Sequence, residues 1–521
     1  MKELNQQPRA RQKAEIPDSL SSLQPLPARR CSGDCTRVRA GWAANLQLNV
    51  FAVAMSEVVS SFHQRYARRA LAQLRIISRS QEQPIHRILS RKYLDEIKSR
   101  SLGLLLKWKW LNNKFDKSPS LRRLGLRYFA KSYSLMSMKE FRGQYNPKSI
   151  VLEPSSRVRW RGPQFVSCSD LAPSVPPTIE IEQPPLEIVE IFDAIPIAAS
   201  NFVLKGQCAL HPDYFSAARD VCMAERFEIL RVVPKRSRLY YYDWLPPIRM
   251  SEAVSLLGQC AGNYAHFLTE VLPRLLVVDQ VEEYRKAPLL VDGWIHHNHL
   301  AAIRLFNKHY RNIIRVGMHQ PPHLYRLIDI SPVAYAPPEY RSYIEHGVVE
   351  ATTAQTYKFN TTALNLLRSA ALKRKRRHSS HGTRLFLNRK SLDYGNARNI
   401  TNMNKILKTC RHVGFEVIET GSMTLLEQID AFKDAQMVVA PIGAALANLI
   451  FTRPGCRVLC LSPVFEGANY YYFSNLMCAL GHDLRYVLGK QTKIPGRHPF
   501  HHDYTIDMDA FYAGLKAIIH E

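Results

Sequence analysis

The sequence predicts an α/β fold in which parallel strands alternate with helices. Continuous apolar strands alternate with amphipathic helices from residue 383 to the C-terminal end. An earlier buried strand, KAPLLVD at 286–292, is followed by a further amphipathic helix pattern at 299–310. Apolar strands joined by amphipathic helices are typical of a parallel sheet that is covered on both faces. The C-terminal region is therefore predicted to be a Rossmann-like domain.

Each element of this region has its own sequence signal. Apolar runs predict strands at 383–390, 415–421, 436–440, 457–463 and 484–490, and amphipathic spacing predicts helices at 399–413, 424–435, 443–451, 469–480 and 509–521. Thr424 and Glu427 stand three residues apart at the start of one helix, which is the spacing of a capping box.

Composition changes predict four segments along the chain. Residues 1–150 form a basic, mainly helical or partly disordered extension, and the Pro-rich passage at 153–190 marks the start of an α/β domain at 151–372. The charge run at 373–382 ends in Ser and Gly, which favours an interdomain linker over a nuclear localisation signal. Residues 383–521 are the Rossmann-like domain.

Positive charge is concentrated in the extension. Residues 1–150 hold 29 Lys and Arg residues but 10 Asp and Glu, and so carry +19 of the net charge of +27. Such a segment attracts anionic membranes, nucleic acid or acidic polymers, or is a solvated helical surface. The sequence has no zinc-finger spacing, RNP-like aromatic motif or recognisable helix-turn-helix, and nucleic acid is therefore the disfavoured partner.

The cysteines and the N-terminal residues favour a cytoplasmic protein. The ten cysteines are scattered without a CxxC pair, which indicates reduced thiols more than a disulfide framework. Residues 1–40 contain no apolar signal-peptide core. The apolar stretch at 41–62 contains Asn45, Asn49 and Glu57, which favours a helix lying on a surface over one that spans a membrane. We therefore expect the cytoplasm, with peripheral attachment to the inner face of the cell membrane.

A turn without bulky side chains follows the strand predicted at 436–440. Ligands of open α/β sheets bind at the carboxyl ends of strands, where the free N–H groups of helix N termini attract anions. Gly443, Ala444 and Ala445 leave those N–H groups accessible, and Asn448 can donate to a ribose or phosphate oxygen. Small residues also suit tight packing alone, and the turn is neither a Walker A motif nor GxGxxG.

A second candidate site lies in the helix pattern at 263–280. His266 and Glu270 are four residues apart, so they share one helical face. They can act as a base with its orienting partner, or position a hydroxyl group. Two alternatives stay open: a buried histidine satisfied by glutamate, and half of a metal site. No second His/Glu pair completes a zinc-like spacing, and we predict no metal.

Linked motifs resemble those of one enzyme family. NYAHFLTEVLPRL, at 263–275, resembles the N-Y-x-H-[FW]-x-x-E-x-L-P-R-[LI] signature of glycosyltransferase family 61, especially its bacterial branch associated with capsular polysaccharide biosynthesis. FLNRK, ARNITN and the segment from LLEQIDAF to RVLCLSP then follow the order of the family's second half. The resemblance covers residues 200–520 and leaves the first 150 residues unexplained.

The resemblance implies a fold and an activity. It implies a GT-B architecture, in which two Rossmann-like domains face a cleft, with 151–372 on the acceptor side and 383–521 binding a nucleotide sugar. It implies a hexosyl- or pentosyltransferase that inverts the anomeric centre and needs no cofactor or catalytic metal. The nucleotide sugar is the co-substrate, and a glycan or lipid-linked saccharide is the acceptor.

The resemblance also assigns residues to the site. His266 and Glu270 match the catalytic positions, and the acceptor side has Asn263, Tyr264 and Arg274. The implied donor-binding positions are Arg389, Arg398, Asn402, Glu427, Gln428, Gly443, Ala444, Ala445 and Asn448. The two arginines would offset the charge of the departing diphosphate, while the Glu–Gln pair lies near the nucleotide or caps a helix.

One departure from the family pattern concerns the small-residue turn. Many members have H-G-A-G-L-x-N there, whereas this chain has Ile442 in place of histidine and Ala445 in place of the second glycine. The departure implies altered donor choice or reduced activity. The alternatives to a transferase are a non-catalytic nucleotide- or glycan-binding protein, and a nucleic-acid- or membrane-binding protein acting through residues 1–150.

Overall fold

The computed structural model describes residues 130–520, apart from 167–171, 242–246, 319, 349–352, 376–380, 390–397 and 495–498. Every described residue belongs to one compact unit, Lys98–Glu521. The stretch at 41–62, most of the basic extension and the centre of the predicted linker lie outside the described residues. The predicted segment boundaries at 150 and 372 stay predictions.

Twenty-four strands are described, numbered here in chain order. Those that precede the predicted linker are β1 Lys131–Ser137, β2 Ser149–Glu153, β3 Ser156–Arg161, β4 Gln164–Phe165, β5 Thr178–Gln183, β6 Leu186–Pro196, β7 Val203–Lys205, β8 Cys208–His211, β9 Asp220–Val221, β10 Leu230–Val233, β11 Arg238–Tyr241, β12 Ile248–Ser255, β13 Leu289–Asp292, β14 Ile313–Val316, β15 Pro322–Ile330, β16 Ala334–Tyr335, β17 Glu339–Tyr340 and β18 Lys358–Phe359. Those that follow it are β19 Arg384–Leu387, β20 Glu416–Ile418, β21 Met437–Pro441, β22 Arg457–Val464, β23 Asp483–Thr492 and β24 Asp503–Ile506.

The described helices are of three kinds. The α-helices are α1 Met138–Tyr145, α2 Met223–Arg226, α3 Tyr264–His266, α4 Leu272–Val278, α5 His297–Phe306, α6 Arg341–His346, α7 Thr361–Leu372, α8 Met403–His412, α9 Leu425–Phe432, α10 Tyr471–Leu480 and α11 Met508–His520. A π-helix, Phe267–Val271, joins α3 to α4. The 3₁₀ helices are Pro234–Arg236, Glu282–Tyr284, Ala354–Thr356, Thr420–Ser422, Ala444–Phe451 and Pro499–His501.

The larger sheet has eleven strands, among which β12, β13, β14 and β15 form one continuous parallel set and β1 pairs in parallel with β8. Its order is β10-β11-β1-β8-β7-β6-β15-β12-β13-β14, with β2 paired to β6. The parallel set starts at β12, extends outward through β13 and β14, and returns to β15 on the other side of β12. A parallel sheet binds ligands where its strand order reverses, at the carboxyl ends of the strands. In this sheet the reversal lies between β12 and β15.

The second sheet has seven strands in the order β20-β19-β21-β22-β23-β24, with β4 paired to β23. All its pairs are parallel except that of β23 with β24. Its order reverses between β19 and β21. The predicted parallel sheet of the C-terminal region is confirmed. The strands at its reversal, β19 and β21, precede the segments with Arg389 and Gly443, which the resemblance assigns to donor binding.

Sequence patterns located most elements of this region, including a helix at 443–451, but did not predict β24, and they were wrong for β1 near the start of the described chain. Ala444–Phe451 is a 3₁₀ helix, whose longer rise per residue lets a short segment return along the sheet from β21 to β22. Lys131–Ser137, within a stretch of helical spacing, forms β1 between β8 and β11. Pairing with two neighbours satisfies its backbone and outweighs the local helical pattern.

Elements of both sheets share packing contacts. Helix α7 contacts α4 behind the larger sheet and also contacts α10 and the 3₁₀ helix Ala444–Phe451 of the second. Strand β4 lies in the Pro-rich passage at 153–190 and joins the second sheet by pairing with β23. The described cysteines are free, in agreement with the predicted reduced thiols. In the part of the chain that is described, no helix is long and apolar enough to cross a membrane.

Candidate functional site

The crevices of the two sheets open onto one cleft of about 1080 Å³. The larger sheet contributes the loop after β12, residues 258–263, and the segment after β15, residues 336–340. The second sheet contributes residues 387–389 after β19 and 441–445 at the end of β21. The topological reversals of both sheets therefore face the same space.

His266 lies on the cleft wall and contacts Glu270. Its Nδ1 is 2.6 Å from Glu270 Oε1, and their side chains are 13% and 6% exposed. Because a buried carboxylate accepts from Nδ1–H, Nε2 is left as a proton acceptor. The ring of Tyr472 lies 5.9 Å from the imidazole, centroid to centroid. The predicted contact between the two side chains is confirmed, and the arrangement suits a general base.

A π turn directly follows His266. The Leu272 N–H donates to Phe267 O, five residues back, so the turn is one residue wider than in an α-helix. Pro273 is the one sequence signal of this irregularity, because it lacks the N–H that a regular helix needs at that position. Such π turns occur frequently at functional sites.

Arg389 and Arg398 meet on the opposite wall. Burial lowers the pKa of both, and the charge of Arg389 further lowers that of Arg398, to about 9. Arg398 Nη2 donates to Ile442 O at 2.8 Å, and its Cζ lies 3.7 Å from the centroid of the Phe500 ring. Its Nε and Nη1 are buried and have no acceptor in the described structure. Buried donors without acceptors are unfavourable, so this arrangement suits a bound anion.

Gly443 faces the two arginines. A Cβ at this position would lie 3.6 Å from Arg398 Nη2 and 3.8 Å from Arg389 Nη1. Its φ of 166° is extended backbone that any residue adopts, so conformation does not require glycine here. The missing side chain instead leaves space beside both guanidinium groups.

Three predicted site residues bond to one another. The Tyr264 hydroxyl lies 2.9 Å from Gln428 Oε1 and 2.7 Å from Asn448 Oδ1, and Asn448 Nδ2 donates to Gln428 Oε1 at 2.7 Å. Asn448 is fully buried. This triangle joins α3, next to the larger sheet, to α9 and the 3₁₀ helix of the second sheet. In this structure their polar atoms hold the cleft together.

Several other predicted residues lie away from the cleft or bond to backbone. Arg274 is buried and donates to Glu270 O and Leu257 O. Asn402 donates to Ile506 O and accepts from Ile506 N.

The remaining predicted residues are placed as follows. Glu427 Oε2 accepts from Thr424 N and Oγ1, which confirms the capping box. Asn263 caps α3. Asn263, Ala444 and Ala445 all line the cleft.

Other cleft residues were not predicted. Trp294, Phe500 and Tyr472 line the cleft, and so do Asn388 and Glu419, whose side chains hydrogen-bond at 3.0 Å. They come from separate loops and helices and share no sequence spacing, so only the tertiary structure brings them together. Within the described ranges, no three His, Cys, Asp or Glu side chains converge as metal ligands.

A comparison with family models identifies the region around the cleft. Residues 264–459 match the model described as Glycosyltransferase 61. The match supports glycosyltransferase family 61 for this part of the chain. The match includes both strands at the reversal of the second sheet and contains His266, Glu270, Arg389, Arg398 and Gly443, so it supports a transferase. No curated protein matches the chain.

Proposed function

We propose that the protein is an inverting, metal-independent glycosyltransferase of the GT-B type. It moves a sugar from a nucleotide sugar to a hydroxyl of a cell-surface or capsular polysaccharide acceptor. The family match supports a transferase with a nucleotide-sugar donor and a glycan acceptor. The two parallel strand sets, with their reversals on one cleft, are consistent with a GT-B arrangement.

The observation that carries the proposal is the state of Arg398. A buried guanidinium whose Nε and Nη1 have no acceptor among the described residues, beside a second arginine, is suited to the diphosphate of a nucleotide sugar. The charge on that diphosphate grows as its bond to the sugar breaks. The arginines therefore bind the leaving group more tightly in the transition state than in the ground state.

The histidine supplies the proton acceptor. In the proposed reaction, His266 Nε2 takes the proton of the acceptor hydroxyl, while Glu270 stabilises the imidazolium through Nδ1–H. The hydroxyl oxygen attacks the anomeric carbon on the face opposite the diphosphate. The bond from that carbon to the phosphate oxygen breaks, and the nucleoside diphosphate leaves toward the arginines, so the anomeric centre inverts.

Ile442 is the feature that favours a second candidate function. Its side chain is apolar and buried and its carbonyl accepts from Arg398, so this position supplies no side-chain hydrogen bond to phosphate or sugar. A protein that binds nucleotide or glycan without turnover would retain the arginine site and lack transfer.

A donor panel separates the two functions. The full chain is incubated with UDP-, GDP-, ADP- and CMP-linked sugars and a mixture of glycan acceptors, and products are detected by mass spectrometry. The proposal expects a new glycoside, or slow hydrolysis, with at least one donor, and loss of that product in His266→Gln. Nucleotide binding by calorimetry without product or hydrolysis across the panel would instead establish the binding protein.

Residues 1–150 are proposed to attach the enzyme to the anionic inner face of the cell membrane. Their +19 charge supports this, because basic segments bind anionic lipid through electrostatic attraction that salt screens. Liposome sedimentation should show binding that rises with the anionic lipid fraction and falls with salt. Binding that ignores lipid charge contradicts the proposal, and filter binding to nucleic acid tests the disfavoured alternative.

A further inference from the structure

We propose that the cleft wall around Trp294 is a subsite for an uncharged sugar ring of the acceptor, which stacks on the indole. This inference rests on the proposed function and adds the chemical class of the group next to the reacting hydroxyl. It assigns roles to Trp294, Phe227 and Glu339, which the family match does not.

The wall offers aromatic faces and polar groups together. Trp294 and Phe227 both line the cleft, with ring centroids 5.9 Å apart at an interplanar angle of 79°. Trp294 is half-buried. The exposed Asn263 and the Glu339 carboxylate line the same wall. Aromatic surface with nearby donors and acceptors suits a sugar ring, which presents apolar C–H faces and hydroxyl edges.

Trp294 is held rigidly by the turn that precedes it. The Gly293 N–H donates to Val316 O at 2.8 Å, and a Cβ on Gly293 would lie 2.7 Å from that oxygen. This close approach requires glycine and fixes the turn against β14. On the other side, a Cβ on Gly262 would lie 3.8 Å from Trp294 Nε1. The indole is therefore preorganised beside the loop that leads into His266, which reduces the entropic cost of binding.

Charge divides the cleft into two parts. Among its described lining residues, the arginines come from the second sheet, and no Lys or Arg lines the wall around Trp294. Glu339 has a pKa raised by burial, and when ionised it repels a second anion. At about 1080 Å³ the cleft exceeds the usual range for a single small ligand, roughly 300–1,000 Å³. The cationic wall therefore suits the donor diphosphate, and the aromatic wall suits an uncharged acceptor.

The test is a glycan array probed with the full chain. It contains neutral oligosaccharides and matched acidic ones that carry uronic acids or sulfate, and affinities of bound glycans are measured by biolayer interferometry. Neutral glycans should bind preferentially. Trp294→Leu should weaken them by about tenfold or more, because stacking and buried area are both lost, whereas Trp294→Tyr should retain most of the affinity. Phe227→Leu should have a smaller effect in the same direction.

The matched control is Tyr325→Leu, since Tyr325 is 71% exposed and does not line the cleft. Its glycan affinity should equal that of the wild type. Preference for acidic glycans, neutral binding that survives Trp294→Leu in a folded variant, or no glycan binding by the wild type would each overturn the subsite. Calorimetry with UDP, GDP and ADP tests the donor side separately. Nucleotide binding without glycan binding removes only the subsite, and Trp294-dependent glycan binding without nucleotide binding removes only the transferase.

Discussion

The two walls of the cleft treat their charged groups in opposite ways. On the wall of the larger sheet, the His266 imidazole has the Glu270 carboxylate 2.6 Å away. On the other wall, Arg398 Nε and Nη1 are buried and have no acceptor among the described residues. On the first wall, which we call the complete wall, the charged partners are both protein side chains. On the second wall the Arg398 nitrogens gain acceptors when an anion binds. Substitutions should therefore change turnover on the first wall and ligand affinity on the second.

The largest expected effect is on the complete wall. His266→Gln and Glu270→Gln should each lower kcat by about 10²–10⁴-fold, because each removes the general base or its orienting partner. Nucleoside diphosphate affinity should stay unchanged, since the arginines are untouched. Product formation with the donor found in the panel gives kcat, and calorimetry gives affinity. His520→Gln, at an exposed position, is the control. A fall in nucleotide affinity equal to the fall in kcat would contradict the assignment of turnover to the His266 wall and of nucleotide affinity to the arginine wall.

Arg398→Met should weaken nucleoside diphosphate binding by about 100-fold, because two charge-assisted hydrogen bonds are lost. The same substitution should raise the melting temperature of the unliganded protein, since it removes a buried charge with unsatisfied donors. Calorimetry and thermal denaturation measure the two quantities.

Arg453→Met is the matched control for Arg398, because Arg453 is exposed and does not line the cleft. It should change neither the affinity nor the melting temperature. A lower melting temperature with unchanged affinity in Arg398→Met would mean that this wall too is complete without a ligand.

Gly443→Ala should weaken the same binding by about tenfold, because the methyl group occupies space beside both guanidinium groups. Its extended φ tolerates alanine, so the melting temperature should stay near that of the wild type. Gly143→Ala, where a Cβ meets nothing within 4 Å, controls for the change of residue type. Full affinity in Gly443→Ala would show that the anion does not lie against this glycine.

The smallest effect concerns the triangle that joins the walls. Tyr264→Phe should lower the free energy of unfolding by about 1–3 kcal/mol, because buried amide oxygens lose a donor. Urea denaturation measures this loss. Tyr145→Phe, at a 49% exposed position, should leave the stability unchanged. If Tyr264→Phe left the stability unaltered but changed the glycan affinity, Tyr264 would contact the acceptor, as the sequence predicted, and would not stabilise the cleft.

Local sequence signals predicted much of the fold. Helix and strand periodicity located β19 to β23 and α11 but not β24, because side-chain period depends on the local backbone alone. The same reasoning explains why four-residue spacing predicted the contact between His266 and Glu270, and why Thr424 and Glu427 predicted a capping box. Such local signals did not predict the strand pairing of the larger sheet, as β1 shows, because tertiary contacts determine which strands pair.

The amino-acid sequence by itself determined most elements after the predicted linker, the similarity of residues 264–459 to glycosyltransferase family 61 and the contact between His266 and Glu270, since each depends on residues close together in the chain. Tertiary packing decided the rest of the cleft. Gln428 and Asn448 were predicted to contact the donor, yet their side chains bond to Tyr264 from the other wall. Arg398 meets Gly443 because β19 and β21 are neighbours at a reversal of strand order. Hydrogen-bond partners and burial depend on the whole fold, so no local pattern states which polar atoms are left for a ligand.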